Sequence, residues 1–136
     1  MPTPAPDDAP LPNGPAPDAS MDATDAMQAG GVPEMTPDEL ATRRRSSTPP
    51  VVVDVREPWE HEIAHIEGAR LVPLRSLPAA LSTFDPGAEY VLYCHHGVRS
   101  LAGAEFLRER GLTRVANLTG GIDAWSVRVD PAVPRY

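Results

Sequence analysis

Short apolar runs alternate with amphipathic stretches over residues 35–136 of this chain. The apolar runs are rich in valine, leucine and tyrosine, and they lie at residues 51–55, 69–72, 90–93 and 115–118. Short runs of this kind, bounded by polar residues or glycine, are typical of strands buried on both faces. The repeated strand and helix signals predict a single α/β domain, with a central, mainly parallel sheet flanked by helices on both faces.

Helix signals fill the intervals between the predicted strands. Thr36 and Glu39 have the spacing of a capping box around Pro37, which predicts a helix over 37–45. Further helices are predicted at 58–63, 74–81, 100–110 and 121–125. Because ligands of such sheets bind beyond the carboxyl ends of the strands, chemistry is expected in the residues that follow each strand.

Composition divides the chain into two parts. Residues 1–34 hold eight of the 17 prolines and six acidic residues, with no basic and no aromatic residue. Such a stretch buries too little apolar surface to offset the entropy of ordering it, which predicts a disordered tail rich in proline, alanine and aspartate. Residues 35–136 carry 13 acidic and 12 basic residues, so the predicted domain is close to neutral.

Charge, hydropathy and cysteine content limit the possible partners. All 12 basic residues are arginines, and they scatter along the chain apart from the triplet at 43–45, which argues against a nucleic-acid binder. No run of 18 apolar residues and no signal-like N-terminus is present, so we expect no membrane partner and a cytoplasmic location. The single cysteine, Cys94, excludes an internal disulfide and a multi-cysteine zinc site, and no cofactor or metal is predicted.

Cys94 lies in the segment with the strongest chemical signal. It follows the predicted strand at 90–93 and precedes the predicted helix at 100–110, in a loop that contains Gly97. The backbone N–H groups of such a loop converge at the positive end of the helix dipole, where they favour an anion or a thiolate. The loop and Arg99 therefore predict a cysteine of lowered pKa. The alternative is a buried and inert cysteine.

The segment HEIAH at residues 61–65 has the spacing that zinc peptidases use to place two histidines and a glutamate on one helix. The extended form of that motif has a third histidine where this chain has Leu71. Gly68 and the strand signal after it also predict that the helix ends close to His65. The sequence therefore argues against a metallopeptidase.

Four segments, in the right order, resemble the rhodanese-like sulfurtransferases. VDVRE at 53–57 is similar to the family's first strand with its Asp-x-Arg signature, and HIEGA at 65–69 is similar to its Gly-His-Ile-x-Gly-Ala segment. CHHGVRS at 94–100 resembles the catalytic loop, and NLTGGIDAW at 117–125 resembles the closing strand, turn and helix. The resemblance covers nearly all of the predicted domain and implies a single-domain thiosulfate sulfurtransferase.

The resemblance also assigns roles to residues. Cys94 is the implied catalytic nucleophile, which accepts a sulfane sulfur from thiosulfate or a persulfide and passes it on to cyanide, a thiol or a sulfur-carrier protein. Arg99 is expected to bind the anionic oxygens of the donor, or else to form a salt bridge with an acidic neighbour. Arg56 is expected at the pocket mouth, and Asp54 as structural support. The implied substrate-binding loop consists of His95, His96, Gly97, Val98, Arg99 and Ser100.

Other functions remain as alternatives on the same fold. The segment 125–136 resembles the ending of rhodanese domains that are fused to enzymes activating ubiquitin-like proteins, which implies a sulfur-carrier protein as acceptor. A non-catalytic interaction or sensor module is one alternative, although such modules usually lack the cysteine. A phosphatase or arsenate reductase is another, but those enzymes need the arginine six positions after the nucleophile, and here Ser100 stands there and Arg99 stands at plus five.

Overall fold

Strands and helices alternate along residues 31–136, the part of the chain that the computed structural model describes. The strands are β1 (Glu34–Met35), β2 (Val51–Asp54), β3 (Arg70–Leu71), β4 (Tyr90–Tyr93) and β5 (Val115–Leu118). The helices are α1 (Pro37–Arg44), α2 (Pro58–Ile63), α3 (Leu77–Ala80), α4 (Val98–Glu109) and α5 (Gly121–Arg128). Two 3-10 turns, Leu74–Ser76 and Leu81–Thr83, flank α3.

The five described strands form one parallel sheet with the order β1-β5-β4-β2-β3. All four residues of the central strand β4 are buried, as the continuous apolar run predicted. Asp54 at the end of β2 pairs in register with Tyr93 at the end of β4. The segments that follow these two strands therefore lie side by side at one edge of the sheet.

Both faces of the sheet are covered. Val91 belongs to a buried cluster with Leu40 of α1 and Trp125 of α5. The next residue, Leu92, points to the opposite face, where α4 packs so closely that a methyl group on Gly103 would lie 3.2 Å from the Leu92 side chain. The predicted α/β fold with helices on both faces is confirmed.

The structure also adds to the predicted elements. The predicted helix at 74–81 is a short α-helix between two 3-10 turns, and α4 begins at Val98, two residues before the predicted start. Glu34 and Met35 form an unpredicted edge strand beside β5, so Glu34, the last residue of the predicted tail, belongs to the sheet. The rest of that tail lies outside the described residues or in the three coil residues before β1. No helix within residues 31–136 has the length and apolar character needed to cross a bilayer.

Candidate active site

Cys94 lies in the turn between the end of β4 and the start of α4, at the carboxyl edge of the sheet. Its side chain is buried, with 2% of the residue exposed. Gly97 precedes the helix with a φ of 106°, a left-handed conformation that a residue with a Cβ rarely adopts. This glycine turns the backbone back over the sulfur, so that the first turn of α4 faces the thiol.

Backbone N–H groups of this turn donate to the sulfur. The N–H of Gly97 lies 3.1 Å from Cys94 Sγ, and that of Ser100 lies 3.3 Å from it. Burial raises the pKa of the thiol, but hydrogen bonds from the Ser100 hydroxyl and from the N–H groups of Ser100, Gly97 and Arg99 outweigh it. The net pKa of Cys94 is below its ordinary value, as the position of the loop predicted.

The Ser100 hydroxyl has two acceptors but only one proton. Its oxygen lies 3.4 Å from Cys94 Sγ and 2.5 Å from Asn117 Oδ1 of β5. Since a charged acceptor draws a stronger hydrogen bond, a thiolate at Cys94 competes for this proton. Asn117 is held in place because its Nδ2 donates to the carbonyl of Gly97 at 3.2 Å and to Glu34 Oε2 at 3.1 Å.

The start of α5 fixes the backbone of the cysteine itself. The N–H of Ile122 donates to the carbonyl of Cys94 at 2.9 Å, and that of Asp123 donates to the carbonyl of His95 at 3.2 Å. Gly121 has a φ of +64°, and a Cβ on it would lie 2.4 Å from the His95 carbonyl oxygen. Only glycine allows this close approach of helix and loop.

Arg99 is bound by an acidic residue of α2. Its two terminal nitrogens donate to the two carboxylate oxygens of Glu60 at 2.7 and 2.9 Å, in a bidentate pair. Glu60 is almost buried, whereas 38% of the Arg99 side chain is exposed. The hydrogen bond from Arg99 lowers the pKa of Glu60 from 4.5 to about 2. The structure thus shows the salt bridge that the sequence left as one of two roles for Arg99.

Arg56 lies in the core and not at the pocket mouth where it was expected. Its side chain has no exposed surface and donates to Asp54 through Nε at 2.9 Å and a terminal nitrogen at 2.7 Å. A further bond reaches the carbonyl of Ala64. A buried charge must be compensated, and the carboxylate at the end of β2 provides the opposite charge and two of the hydrogen bonds here.

Asp54 is the acceptor at the centre of this buried network. Besides Arg56, it accepts from the Tyr93 hydroxyl at 3.1 Å, and its Oδ2 lies 2.8 Å from His61 Nδ1. Burial raises the pKa of Asp54, but the bonds from Arg56 and His61 outweigh it, and the net pKa is lowered. These contacts connect Asp54 at the end of β2 to a side chain of β4 and to one of α2.

Tyr136 covers Arg56 from the solvent side. Its hydroxyl accepts from an Arg56 terminal nitrogen at 2.7 Å and donates to Glu60 Oε2 at 2.8 Å. Its ring stacks on His95, with centroids 4.1 Å apart, and meets Trp59 edge-on at 6.4 Å. Tyr136 therefore contacts the buried Arg56, the carboxylate that binds Arg99, and the loop after Cys94.

The two histidines of the loop lie at its rim. Their rings stack with centroids 4.1 Å apart, and 62% of the His96 side chain is exposed. Burial and the neighbouring His96 lower the pKa of His95. Ligand atoms of His95, His96 and Asp123 lie within 4.8 Å of one another, but the Asp123 carboxylate is already paired with Arg135 at 2.8 Å. Val98, at the first position of α4, is 79% exposed.

The HEIAH segment does not form a zinc-binding helix. Helix α2 ends at Ile63, and Ala64 is extended with a φ of −162°. His65 therefore lies outside the helix, where its Nδ1 bonds to the carbonyl oxygen of His61 at 2.9 Å. His61 points to Asp54 instead of to a shared metal site.

Sequence reasoning missed two residues of the site, Glu60 and Tyr136. Glu60 lies one turn into the helix that follows β2, and parallel strands bring that helix to the same sheet edge as Cys94. This placement was a usable signal for Glu60. Tyr136 carries no such signal, since it follows α5 in an irregular segment and reaches the site only by tertiary packing.

The rhodanese-like domain model matches residues 36–128, which include every element from α1 to α5. This match decides the family. The chain belongs to the rhodanese-like domain family. The fold prediction and the resemblance stated from the four segments are thereby confirmed.

Several relatives of this rhodanese-like chain are described as sulfurtransferases. The chain is 33% identical over 95 residues to a sulfurtransferase of Allochromatium vinosum, covering 70% of this chain and 89% of the relative. It is 35% identical over 75 residues to the thiosulfate sulfurtransferase GlpE of Ectopseudomonas mendocina, covering 55% of this chain and 69% of GlpE.

Other similar proteins are longer than this chain or have solved structures. The chain is 35% identical over 116 residues to the probable adenylyltransferase/sulfurtransferase MoeZ of Mycobacterium tuberculosis; the match covers 84% of this chain but only 30% of MoeZ. A rhodanese-like domain protein of Staphylococcus aureus superposes with a TM-score of 0.68 at 31% identity, covering 77% of this chain and 99% of that one. The chain thus spans less than a third of the length of MoeZ.

Proposed function

We propose that this protein is a sulfurtransferase that carries a sulfane sulfur on Cys94 from thiosulfate or a persulfide to a thiophilic acceptor. The observation that supports it most is the set of hydrogen-bond donors around Cys94 Sγ, which lower the pKa of the only cysteine. The thiolate form of a cysteine is the nucleophile in such reactions, and the thiol is not. The sulfurtransferases among the relatives support the same reaction class.

In the first step, the Cys94 thiolate attacks the outer sulfur of the donor. With thiosulfate, a bond forms between Cys94 Sγ and the outer sulfur, the S–S bond of thiosulfate breaks, and sulfite leaves with the electron pair. Cys94 is then a persulfide whose terminal sulfur carries the negative charge. The N–H groups of Gly97 and Ser100 are placed to stabilise charge in this turn, as an oxyanion hole does in acyl transfer.

In the second step, an acceptor takes the terminal sulfur. Cyanide attacks that sulfur to form thiocyanate, or a thiolate attacks it to form a new persulfide, and in both reactions the Cys94 thiolate is released with its electron pair. Since Cys94 is the only cysteine of the chain, no second thiol in the same chain can resolve the persulfide as an intramolecular disulfide. The acceptor must therefore come from outside the chain.

The physiological acceptor we propose is a thiol or a sulfur-carrier protein. Support comes from the relative MoeZ, whose name combines adenylyltransferase and sulfurtransferase. The reaction needs Cys94 to stay a thiolate or a persulfide, which fits a reducing compartment such as the cytoplasm.

The alternatives have less support from the site. A phosphatase or arsenate reductase would use an arginine to wrap an oxyanion, but Arg99 stands five positions after Cys94 and is bound by Glu60. A purely non-catalytic module has no need for the hydrogen-bond donors that converge on the sulfur. A sulfurtransferase uses the donors around the sulfur, and it does not need Arg99 to wrap an oxyanion.

A turnover assay tests this function. The protein, supplied with thiosulfate and cyanide, should form thiocyanate and sulfite in equal amounts. The matched control is Cys94→Ser, which keeps the size of the side chain but removes the sulfur and should reduce the rate to background. Equal rates for both proteins would contradict a role for Cys94, and phosphatase activity lost in Cys94→Ser would favour the phosphatase.

A further inference from the structure

Three arginines around the Cys94 loop are each bound to a carboxylate. The pairs are Arg99 with Glu60, Arg56 with Asp54, and Arg135 with Asp123. Each pair contributes one positive and one negative charge. The guanidinium groups therefore do not offer unpaired positive charge to an anion that enters the pocket.

The Glu60 carboxylate that binds Arg99 is held by further hydrogen-bond donors. Besides the two bonds from Arg99, the Glu60 carboxylate accepts from the N–H of Glu57 at 3.0 Å and from the Tyr136 hydroxyl at 2.8 Å. These donors fix the carboxylate beside Arg99, and its pKa of about 2 keeps it ionised at neutral pH. Arg99 thus keeps its partner throughout the physiological pH range.

The two classes of sulfur donor differ in the charge they bring to this pocket. Thiosulfate carries two negative charges, so its attack by the Cys94 thiolate gathers three negative charges and releases sulfite. A neutral persulfide RS–SH brings none: the Cys94 thiolate bonds to the outer sulfur, the RS–S bond breaks, and RS⁻ leaves with the electron pair. In a largely buried site, the additional charges of thiosulfate raise the barrier unless a cation compensates them.

We propose that Glu60 is a specificity-determining residue: by pairing with Arg99, it makes the pocket favour neutral or singly charged persulfides over the thiosulfate dianion. This inference rests on the proposed function and narrows its donor class. Glu60 acts through Arg99, since its carboxylate oxygens are occupied by protein donors. The persulfide is the preferred donor, and thiosulfate is a slower one.

Loading of Cys94 with the two donors tests the proposal. The rate of sulfur addition is followed by intact mass, with thiosulfate and separately with cysteine persulfide. In Glu60→Gln, which keeps the shape and the acceptor oxygen of the side chain but not its charge, thiosulfate should load about tenfold faster. The rate with cysteine persulfide should change less than about threefold. An unchanged thiosulfate rate, or an equal rise with both donors, would overturn the proposal.

Two further variants separate the local charge from other effects. Glu62→Gln removes the same charge from an exposed position of α2, and it should leave the ratio of the two rates unchanged. The double variant Glu60→Gln/Arg99→Gln removes both charges of the pair, and its ratio should return towards that of the unmodified protein. A ratio as high as in Glu60→Gln alone would contradict a role through Arg99.

The proposed function and this inference fail in different ways. If neither donor adds sulfur to Cys94 in the unmodified protein, the sulfurtransferase itself is wrong, and with it the donor preference. If both donors load and Glu60→Gln leaves their ratio unchanged, only the donor preference is wrong. Thermal unfolding of each variant confirms that the compared proteins are folded.

Discussion

The hydroxyl of Tyr136 bridges Arg56 and Glu60, two buried side chains that belong to different ion pairs. It accepts a hydrogen bond from the first at 2.7 Å and donates one to the second at 2.8 Å. The Tyr136 oxygen thus connects the buried network around Asp54 to the Glu60 carboxylate that binds Arg99. The irregular segment after α5 is therefore part of the active-site structure.

Loss of this hydroxyl should weaken the fold at neutral pH and make it more sensitive to acid. Glu60 has a pKa of about 2 instead of 4.5, so it stabilises the fold fully above pH 4.5 and loses that contribution as the pH falls to about 2. The Tyr136 hydrogen bond contributes to lowering this pKa. We expect Tyr136→Phe to lower the free energy of unfolding by about 1–2 kcal/mol at neutral pH and to move the acid unfolding midpoint to higher pH.

The control for this prediction is Tyr90→Phe. It also removes a hydroxyl with a protein partner, the N–H of Asp85 at 2.7 Å, but at the opposite end of β4. Tyr90→Phe should lower the free energy of unfolding without affecting the hydrogen bonds of Glu60. Equal acid midpoints for the two variants, corrected for their stability at neutral pH, would count against the bridge to Glu60.

Gly121 should be the glycine that tolerates substitution least. A Cβ there would lie 2.4 Å from the His95 carbonyl oxygen and 2.5 Å from that of Cys94, in addition to the cost of a φ of +64°. We expect Gly121→Ala to lower the free energy of unfolding by about 2–4 kcal/mol. In Gly111→Ala, φ is also positive but nothing lies within 4 Å of the new Cβ, so the loss should be about 1–2 kcal/mol. Urea unfolding measures both, and equal losses would refute the close approach of α5 to the loop.

Ser100 should control the reactivity of Cys94. Its hydroxyl and its N–H both lower the pKa of the thiol, and Ser100→Ala removes only the hydroxyl. The thiol pKa should rise, so alkylation by iodoacetamide at neutral pH should slow about three- to tenfold. Ser126→Ala loses a hydroxyl bond to the carbonyl of Val133, also in a buried position, and should leave the rate unchanged. A similar slowing in both variants would point to a general loosening of the fold.

Arg56 should not tolerate lysine. Its guanidinium donates to Asp54, the carbonyl of Ala64 and Tyr136, and an ammonium group cannot reproduce this planar set. We expect Arg56→Lys to lower the free energy of unfolding by about 2–4 kcal/mol. Thermal unfolding beside Arg128→Lys, whose side chain is 58% exposed, gives the comparison, because an exposed pair contributes at most about 1 kcal/mol. An equally small loss of unfolding free energy in the two variants would contradict the role of Arg56 in the buried network.

The parts of the fold that depend on local pattern could be predicted. The capping box of Thr36 and Glu39 forms as its spacing predicted, and β4 and β5 have the predicted bounds. The position of Cys94 after the central strand also identified the loop, because topology places such turns at one edge of a parallel sheet. Strand β1 could not be predicted from two residues, since its pairing with β5 is a tertiary contact.

The site was less predictable where distant residues meet. The expectation for Arg56 came from a motif, but its side chain is buried, where it bonds to Asp54 and Tyr136. The partner of Arg99 comes from a helix 39 positions earlier in the chain. Contacts of this kind depend on tertiary packing, and the local periodicity of hydrophobic residues does not predict them.

Formation of a persulfide on Cys94 is the central claim, and intact-mass spectrometry tests it most directly. The purified protein is incubated with thiosulfate or with cysteine persulfide, freed of donor, and then divided into samples with and without cyanide. We expect a gain of one sulfur atom, its removal by cyanide, and no gain in Cys94→Ser. Addition of no sulfur by either donor, or the same gain of mass in Cys94→Ser, would contradict sulfur transfer through Cys94.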